Sequence, residues 1–213
     1  MDRFKNADGK SVLLKIVKAV QDNKAYLGEV DGLIGDGDHG MNMNKGFTLF
    51  ETRFADKDFS FTEGLGELGN ILFSEIGGSM GPIYGTILSD MSEAGENLDV
   101  ITLPDLAAML GAGLEGLQCI VEAQVGDKTL VDTLSPAVDS LKESALSGEE
   151  FSAALNKMKA AAEAGRDSTK ELIAKFGRSS RLGERSRGVL DAGSVSCCII
   201  LEAMADGIRE ILE

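Results

Sequence analysis

Apolar residues recur along most of the chain at the 3.6-residue spacing of an amphipathic helix. Eight segments show this spacing, and in none do apolar and polar residues alternate as they do in a half-buried strand. The eight apolar stripes lie at 12–20, 43–54, 65–76, 83–91, 106–117, 130–141, 151–162 and 195–208. The pattern predicts an all-α fold in which about eight antiparallel amphipathic helices form a bundle or a closed barrel.

Individual residues indicate where some of these helices begin. Ser147, followed three residues later by Glu150, has the spacing of a capping box and predicts a helix start there. Pro104 suits the first turn of a helix that follows Thr102, and another helix is expected after Pro82. The chain contains no internal repeat and no linker-like stretch, so we expect a single domain over residues 1–213.

The chain is strongly acidic: 35 Asp and Glu residues against 21 Lys and Arg residues give a net charge of −14 over 213 residues. This charge argues against binding to nucleic acid and to anionic membrane surfaces, because both require a basic face. The first residues lack the apolar segment of a signal peptide, and the apolar stretch 197–201 is far too short to cross a bilayer. Cys119, Cys197 and Cys198 form no C-x-x-C pair and fit three buried thiols, so we expect a soluble, cytoplasmic protein.

Three aspartates interleaved with glycines form the most distinctive polar segment. Asp31, Asp36 and Asp38 have the spacing i, i+5, i+7, and the glycines between them allow the backbone to turn so that the carboxylates converge. Converging carboxylates favour a bound Mg²⁺ or Ca²⁺, whose preferred ligands are oxygens. An EF-hand is excluded because position twelve, counted from Asp36, is Phe47 and not the bidentate Glu. A solvated acidic turn is the alternative.

Other polar segments are compatible with an anionic ligand. His39, the single histidine, follows the aspartates directly and could donate to a phosphate oxygen or satisfy a buried carbonyl. The segment 77–82 is rich in glycine and precedes a helix, so it is either an anion cradle or a plain turn. Four arginines within ten residues could contact phosphate or pair with surface acids: Arg178, Arg181, Arg185 and Arg187.

Five motifs in a fixed order give the chain a specific resemblance. They read D-x4-D-x-D-H-G-x-N-M at 31–43, G-G-x-x-G-P-x-[FY]-G-T at 77–86, G-D-K-T-x-x-D at 126–132, G-R-x-x-x-L-G-E-R-S at 177–186 and D-x-G-x-x-S at 191–196. Over essentially its full length the chain resembles the nucleotide-binding L subunits of dihydroxyacetone kinases. The resemblance implies an eight-helix antiparallel barrel with a nucleotide in a cleft at one end.

The resemblance also implies roles for individual residues. Asp31, Asp36 and Asp38 are expected to hold two Mg²⁺ ions that bridge the phosphates of ADP or ATP. His39 and Arg178 are the candidate catalytic residues, because they can neutralise charge on the transferring phosphoryl group. The expected contacts with the phosphates and the nucleotide are His39, Gly40, Met41, Asn42, Ser79, Met80, Leu130, Arg178, Asp191, Ala192 and Gly193.

A partner protein is part of this expectation. In the resembling family a separate K subunit binds the ketose covalently through its own histidine, whereas His39 lies in the metal motif and no second histidine is present here. Either ATP is consumed, or ADP stays bound and is rephosphorylated by a phosphohistidine protein of the phosphotransferase system. A nucleotide-bound regulatory subunit that binds a transcription factor or another partner is an alternative, as is a helical structural protein without nucleotide. A homodimer and the identity of the ketose stay open.

Four residues depart from the family pattern. Met80 stands where a small polar residue is usual, Val121 where glycine is common, Val189 where histidine is common, and Ala192 where proline is common. The change at Met80 removes a hydroxyl group from the phosphate loop but leaves its backbone N–H. These departures indicate a divergent branch and leave the phosphoryl-transfer chemistry in place.

Overall fold

The computed structural model describes residues 2–213, so Met1, the first residue of the predicted domain, lies outside the described residues. Nine α-helices dominate this range: α1 (Lys10–Asp22), α2 (Lys24–Ile34), α3 (His39–Phe54), α4 (Phe61–Glu75), α5 (Met80–Gly95), α6 (Leu103–Ile120), α7 (Val131–Ser147), α8 (Phe151–Ser168) and α9 (Ala192–Ile211). Short 3₁₀ segments cover Asn6–Asp8, Thr169–Glu171 and Arg178–Ser186. Strands β1 (Arg3–Lys5) and β2 (Val100–Thr102) pair antiparallel, with Phe4 opposite Ile101.

The mostly helical fold confirms the sequence pattern, but helix α2 was not predicted. This helix has only a narrow apolar stripe, formed by Leu27, Val30 and Ile34 and interrupted by two glycines. It follows α1 after the single residue Asn23, so the two helices lack the long polar connection that would separate them in sequence. The two strands were not predicted either, because three residues are too few to show an alternating pattern.

The predicted capping box at Ser147 and Glu150 is wrong. Ser147 is the last residue of α7, and Gly148 follows it in the left-handed conformation at φ 71° that commonly ends helices. Glu150 precedes α8 but makes no capping hydrogen bond. The capping box lies instead at the start of α4, where the Glu63 backbone N–H donates to Ser60 Oγ at 3.2 Å and the Ser60 N–H donates to Glu63 Oε2 at 2.8 Å.

Two of the three prolines fit the first turns of helices, whereas Pro136 lies inside α7. Pro104 lies in the first turn of α6, as predicted. Helix α5 starts at Met80, earlier than expected, so that Pro82 also falls in a first turn, where a missing N–H costs no hydrogen bond. The consequence for the site is that Ser79 and Met80 lie at a helix N-terminus.

Packing between helices follows the chain in a cyclic order. Helix α1 packs on α3, each helix from α3 to α9 packs on the next, and α9 packs back on α1. A large core of buried apolar residues lies between these helices. Each fully buried Leu or Phe side chain contributes about 1.5–3 kcal/mol relative to an exposed one. Helix α2 stands outside this order and packs on α3 and α9.

A second, smaller core attaches α2 to the start of α9. It consists of Leu27 and Val30 of α2 with Ala192 and Val195 of α9. This contact sets the last turn of α2, which carries Asp31, beside the first turn of α9. Short connections between helices that pack on each other require antiparallel neighbours. The connections α2–α3, α4–α5 and α6–α7 therefore meet at one end. Hydrogen bonds from Lys128 to the carbonyl oxygens of Thr169 and Val189 place the longer α8–α9 connection at the same end, and the sequence motifs lie in or next to these four connections.

Two further expectations concern thiols and membranes. Cys197 and Cys198 are buried, but Cys119 is exposed in the last turn of α6, so the prediction of three buried thiols is wrong for that residue. None of the helices between residues 2 and 213 combines the length and the hydrophobicity needed to cross a membrane.

Candidate functional site

Three carboxylates converge where α2 leads into α3. Asp31, Asp36 and Asp38 each place an oxygen within 4.8 Å of the others, the one cluster of this kind in the part of the chain that the structure describes. Asp31 lies in the last turn of α2, and the other two lie in the four-residue connection to α3. Gly37, at φ 78°, supplies the left-handed conformation that brings Asp36 and Asp38 to the same side. The convergence predicted from the spacing is therefore confirmed.

The donor set of this cluster suits a hard divalent cation. Two of the carboxylates are partly buried and Asp36 is exposed, so the cluster opens to solvent on one side. At these separations each pair of charges repels by about 1 kcal/mol in a water-like dielectric and by about 3.5 kcal/mol at an effective dielectric of 20. Carboxylate oxygens arranged in this way fit Mg²⁺, which is bound by few carboxylates and leaves positions for phosphate oxygens.

Arg178 forms an ion pair with the carboxylate of Asp36. It stands at the start of the 3₁₀ segment before α9, next to Gly177 in a left-handed conformation at φ 69°. Its side chain is 65% exposed, so the guanidinium group can also reach a ligand above the cluster. Arg187 instead pairs with Glu184 at 3.2 Å, which is the surface pairing considered as the alternative for the arginine group.

His39 begins α3 and points into the protein. Its backbone N–H lies 3.3 Å from Asp31 Oδ2, and its ring Nε2 lies 2.9 Å from Ser196 Oγ. Ser196 also hydrogen-bonds with the hydroxyl group of Tyr84 at 2.7 Å, so α3, α5 and α9 meet at this histidine. Burial lowers the pKa of His39 to about 4, against an opposing effect of Asp31. The imidazole is therefore neutral at physiological pH.

Ser196 and Tyr84 were not assigned a role from the sequence. Both lie inside the quoted motifs, Ser196 as the last residue of D-x-G-x-x-S and Tyr84 at the [FY] position of the glycine-rich motif. The hydroxyl groups of Ser196 and Tyr84 also lie 3.1 Å and 3.3 Å from the carbonyl oxygen of Gly193, to which one of the two can donate while the other donates within the Tyr84–Ser196 pair. The signal was therefore present in the motifs, but nothing in the residue types indicated a contact with His39.

The start of α3 contains the predicted contacts Gly40, Met41 and Asn42. A side chain on Gly40 would place its Cβ 2.1 Å from the carbonyl oxygen of Lys24, so this glycine is required for the close approach of α2 and α3. Met41 is 59% exposed, and the N–H of Asn42 donates to the carbonyl oxygen of Asp38 at 2.9 Å. Gly40 thus has a packing role whatever else it contacts.

The glycine-rich connection before α5 has room for a ligand. Gly78 adopts φ 73°, and an added Cβ at Gly77 or Gly78 would meet nothing within 4 Å. Ser79 is the residue before α5, and its side chain makes no capping hydrogen bond. The Met80 side chain packs against the large core. At this helix start Met80 can therefore contact a ligand through its backbone N–H.

The start of α9 carries the other predicted contacts. Asp191 Oδ2 accepts from the N–H of Ser194 at 2.7 Å and caps the helix, while burial raises the pKa of its carboxyl group to about 6. Gly193 adjoins Leu130, because a Cβ added there would lie 3.4 Å from Leu130 Cβ. Ala192 is buried in the small core against α2, so its methyl group is turned toward the protein.

The cavities found in the structure lie beside or far from this cluster. A groove of about 510 Å³ runs between α2 and the residues before α9, lined by Val30, Leu33, Asp167, Lys170 and 188–190. A more open one of about 620 Å³ lies where α8 begins and α9 ends, among charged residues at the other end of these helices. The aspartates of the cluster line neither of these two cavities.

We expect the single histidine to titrate far below its usual range in the metal-free protein. Its folded pKa of about 4 lies below the usual value of about 6.5, so the unfolded chain binds more protons between these values. The free energy of unfolding therefore falls as the pH is lowered through this window. NMR of the imidazole resonances in chelator-treated protein measures the pKa, with urea-unfolded protein as the control. A folded-state pKa near 6.5 would contradict the buried placement.

A family model and several known proteins match this chain. A family model described as the DAK2 domain matches residues 33–206. The ADP-binding subunit DhaL of PEP-dependent dihydroxyacetone kinase 1 from Listeria innocua is 37% identical over 186 residues, covering 87% of this chain and 88% of the relative. The ADP-binding subunit DhaL of the Escherichia coli PEP-dependent dihydroxyacetone kinase is 36% identical over 188 residues, covering 87% and 89%.

A solved structure shares the fold. The crystal structure of the dihydroxyacetone kinase from C. freundii in complex with AMP-PNP and Mg²⁺ superposes with a TM-score of 0.72 at 20% identity, over 94% of this chain. The chain spans about a third of that protein, 34% of its length. Together with the family model and the two relatives, this likeness of fold leads to one conclusion: the chain belongs to the DAK2 domain family.

Proposed function

We propose that this chain is the nucleotide-binding subunit of a kinase that phosphorylates dihydroxyacetone or a related small ketose. The observation that carries the proposal is the convergence of Asp31, Asp36 and Asp38 beside the N-terminus of α3, with Arg178 in contact. The relatives named as dihydroxyacetone kinase subunits support the reaction class.

The aspartate cluster is the proposed metal site. When bound there, two Mg²⁺ ions would bridge the carboxylates and the phosphate oxygens and neutralise their charge. The AMP-PNP and Mg²⁺ of the C. freundii complex support this type of ligand. Because the carboxylates are needed as ligands, none of them is assigned as a general base.

The nucleotide is proposed to lie across four helix starts, those of α3, α5, α7 and α9. The N-termini of α3 and α5 present free backbone N–H groups and the positive ends of their dipoles to the phosphates. The adjoining surfaces of Leu130 and Gly193 receive the rest of the nucleotide. The proposed contacts are those expected from the motifs: His39, Gly40, Met41, Asn42, Ser79, Met80, Leu130, Arg178, Asp191, Ala192 and Gly193.

His39 and Arg178 are the proposed catalytic residues. Phosphoryl transfer depends mainly on positioning and on the neutralisation of charge over the transferring oxygens. Arg178 is exposed and charged above the cluster, so it can approach those oxygens. In the tautomer whose Nε2 accepts from Ser196, the neutral imidazole of His39 keeps its proton on Nδ1 and can donate one hydrogen bond there without a change of protonation. The printed names of the relatives favour ADP as the bound nucleotide.

A rim of exposed apolar side chains supports a partner that brings the ketose. All six members lie on or next to the connections at the motif end of the molecule, and exposed apolar side chains gathered at one end favour an interaction site there. They are Leu33, Met41, Phe73, Ile120, Val125 and Phe176. We therefore propose docking of a ketose-binding K subunit at this end, and rephosphorylation of ADP there by a phosphohistidine protein.

The packing order of the helices and the net charge bear on the architecture and the cellular location that we propose. The cyclic packing order supports a closed barrel formed by α1 and α3 to α9, with α2 outside it, in a single domain. The net charge of −14 supports a function without nucleic acid. A cytoplasmic location fits a subunit that exchanges phosphoryl groups with other proteins.

Replacement of one carboxylate tests the metal site. We expect Asp36→Asn to weaken Mg²⁺ binding and Mg²⁺-dependent ADP binding by at least the roughly 10- to 100-fold observed when metal-supporting groups are lost. Isothermal titration calorimetry measures both affinities. Asp58→Asn is the matched control. Asp58 is exposed and lies past the opposite end of α3, so this change should leave both affinities unchanged. Intact ADP affinity in Asp36→Asn would show that the metal assignment is wrong.

Reconstitution with a partner tests the reaction. Bound nucleotide is first released by denaturation and identified by anion exchange, where stoichiometric ADP is the expected result. The chain alone should form no ketose phosphate from dihydroxyacetone and a phosphoryl donor, and product should appear when a K subunit is added. Ketose phosphorylation by the chain alone would refute the need for a partner. ADP retention without turnover beside a functional K subunit would favour the regulatory alternative.

A further inference from the structure

Lys128 is the most unusual residue of the structure that the proposed site leaves unused. It lies in the G-D-K-T-x-x-D motif between α6 and α7, and its side chain is only 1% exposed. It is also the only residue other than glycine with a positive φ, 61°, in the described range 2–213. Fully buried lysines and left-handed non-glycine residues are both rare, and strained conformations persist only where surrounding contacts impose them.

The ammonium group of Lys128 binds two backbone carbonyl oxygens. It donates to the carbonyls of Thr169 and Val189, which bracket the connection between α8 and α9. Burial lowers the pKa of Lys128, and the charges of Asp191 and Asp132 act in the opposite direction. A buried charge that donates to two neutral carbonyls fixes the positions of both ends of the connection.

The contacts around Lys128 lead directly to the start of α9. Thr169 Oγ1 accepts from the backbone N–H of Asp191 at 3.0 Å. Ser194 Oγ donates to the carbonyl oxygen of Thr129, the residue after Lys128, at 2.6 Å. Val189 lies two residues before Asp191. Lys128 therefore holds the chain just before α9 begins, and its neighbour Thr129 holds Ser194 in the first turn of the helix.

The motif loop is itself held rigidly. The carboxylate of Asp132 accepts from the N–H of Gly126 at 2.6 Å and from the N–H of Thr129 at 2.7 Å. Asp127 pairs with Lys175, with 2.5 Å between Oδ1 and Nζ. The Lys128 side chain therefore extends from a loop fixed by its own hydrogen bonds into the α8–α9 connection.

We propose that Lys128 is a positioning residue for the nucleotide: through Thr169 and Val189 it fixes the segment 189–193 in the conformation that receives ADP. The ammonium group is buried and does not touch the ligand. This inference rests on the proposed nucleotide site. Metal binding by the aspartate cluster and phosphate binding at the starts of α3 and α5 do not depend on this role of Lys128.

Selective loss of nucleotide affinity is the expected signature. In Lys128→Met the two carbonyls lose their donor, so the segment 189–193 keeps only its hydrogen bonds with Thr169 and Thr129, and ADP binding must complete its ordering. We expect ADP affinity in the presence of Mg²⁺ to fall at least about 10-fold. Affinity for pyrophosphate with Mg²⁺ should stay within about twofold, because pyrophosphate binds at the aspartates and the starts of α3 and α5.

The experiment is a pair of calorimetric titrations, ADP with Mg²⁺ and pyrophosphate with Mg²⁺, on the full chain freed of nucleotide by chelation and dialysis. Lys170→Met, an exposed lysine next to Thr169, is the matched control and should resemble wild type in both. Lys128→Gly is the second variant, because glycine accepts φ 61° without strain while it also removes the ammonium group. Both variants of Lys128 should show the same selective loss.

The outcomes separate this inference from the proposed function. Failure of the wild-type chain to bind ADP would overturn the proposed function and the inference with it. If wild type binds ADP, then unchanged ADP affinity in Lys128→Met, or a parallel loss of ADP and pyrophosphate affinity, would overturn only the positioning role. Normal ADP binding by Lys128→Gly would also overturn the positioning role. Failure of both variants to fold would overturn it too, because Lys128 would then be required for folding.

Discussion

Electrostatic repulsion among Asp31, Asp36 and Asp38 is the constraint on which the rest of the site depends. Three carboxylates within 4.8 Å of one another are unfavourable unless positive charge lies near them. The fold holds them together through the end of α2, the left-handed Gly37 and the close approach of α2 and α3 at Gly40. Arg178 supplies one positive group from the far end of the sequence. An arrangement held at this cost is best explained by a cation that the site recruits.

The position of α2 links this constraint to the rest of the fold. Helix α2 packs outside the cyclic order of the other helices and is attached to α9 by the small core of Leu27, Val30, Ala192 and Val195. That core brings the aspartate cluster beside the start of α9, where His39 meets Ser196. Packing of apolar side chains thus sets the distance between the proposed phosphate and nucleotide parts of the site.

The sequence predicted the parts of this structure that repeat or that carry charge. Helices with broad apolar stripes follow from periodicity, and the aspartate cluster follows from its spacing and its glycines. Helix α2 was missed because its stripe is narrow and a single residue, Asn23, separates it from α1. The contact of His39 with Ser196 spans 157 residues, and the buried Lys128 bonds only to backbone carbonyls. Such contacts depend on tertiary packing, which residue types and spacing do not encode locally. The exposure of Cys119 has the same origin, because the last residues of α6, Gln118 to Ile120, lie outside the packed part of the helix.

The central claim is that the three aspartates hold the metal ions of a nucleotide site, and diffraction tests it most directly. Crystals grown with ADP and Mn²⁺ in place of Mg²⁺ give anomalous peaks at the metal positions. The account predicts two peaks at coordination distance, about 2.1 Å, from oxygens of Asp31, Asp36 and Asp38, with the ADP phosphates on the other side. Bound ADP without metal at these carboxylates, or metal peaks at other residues, would contradict it.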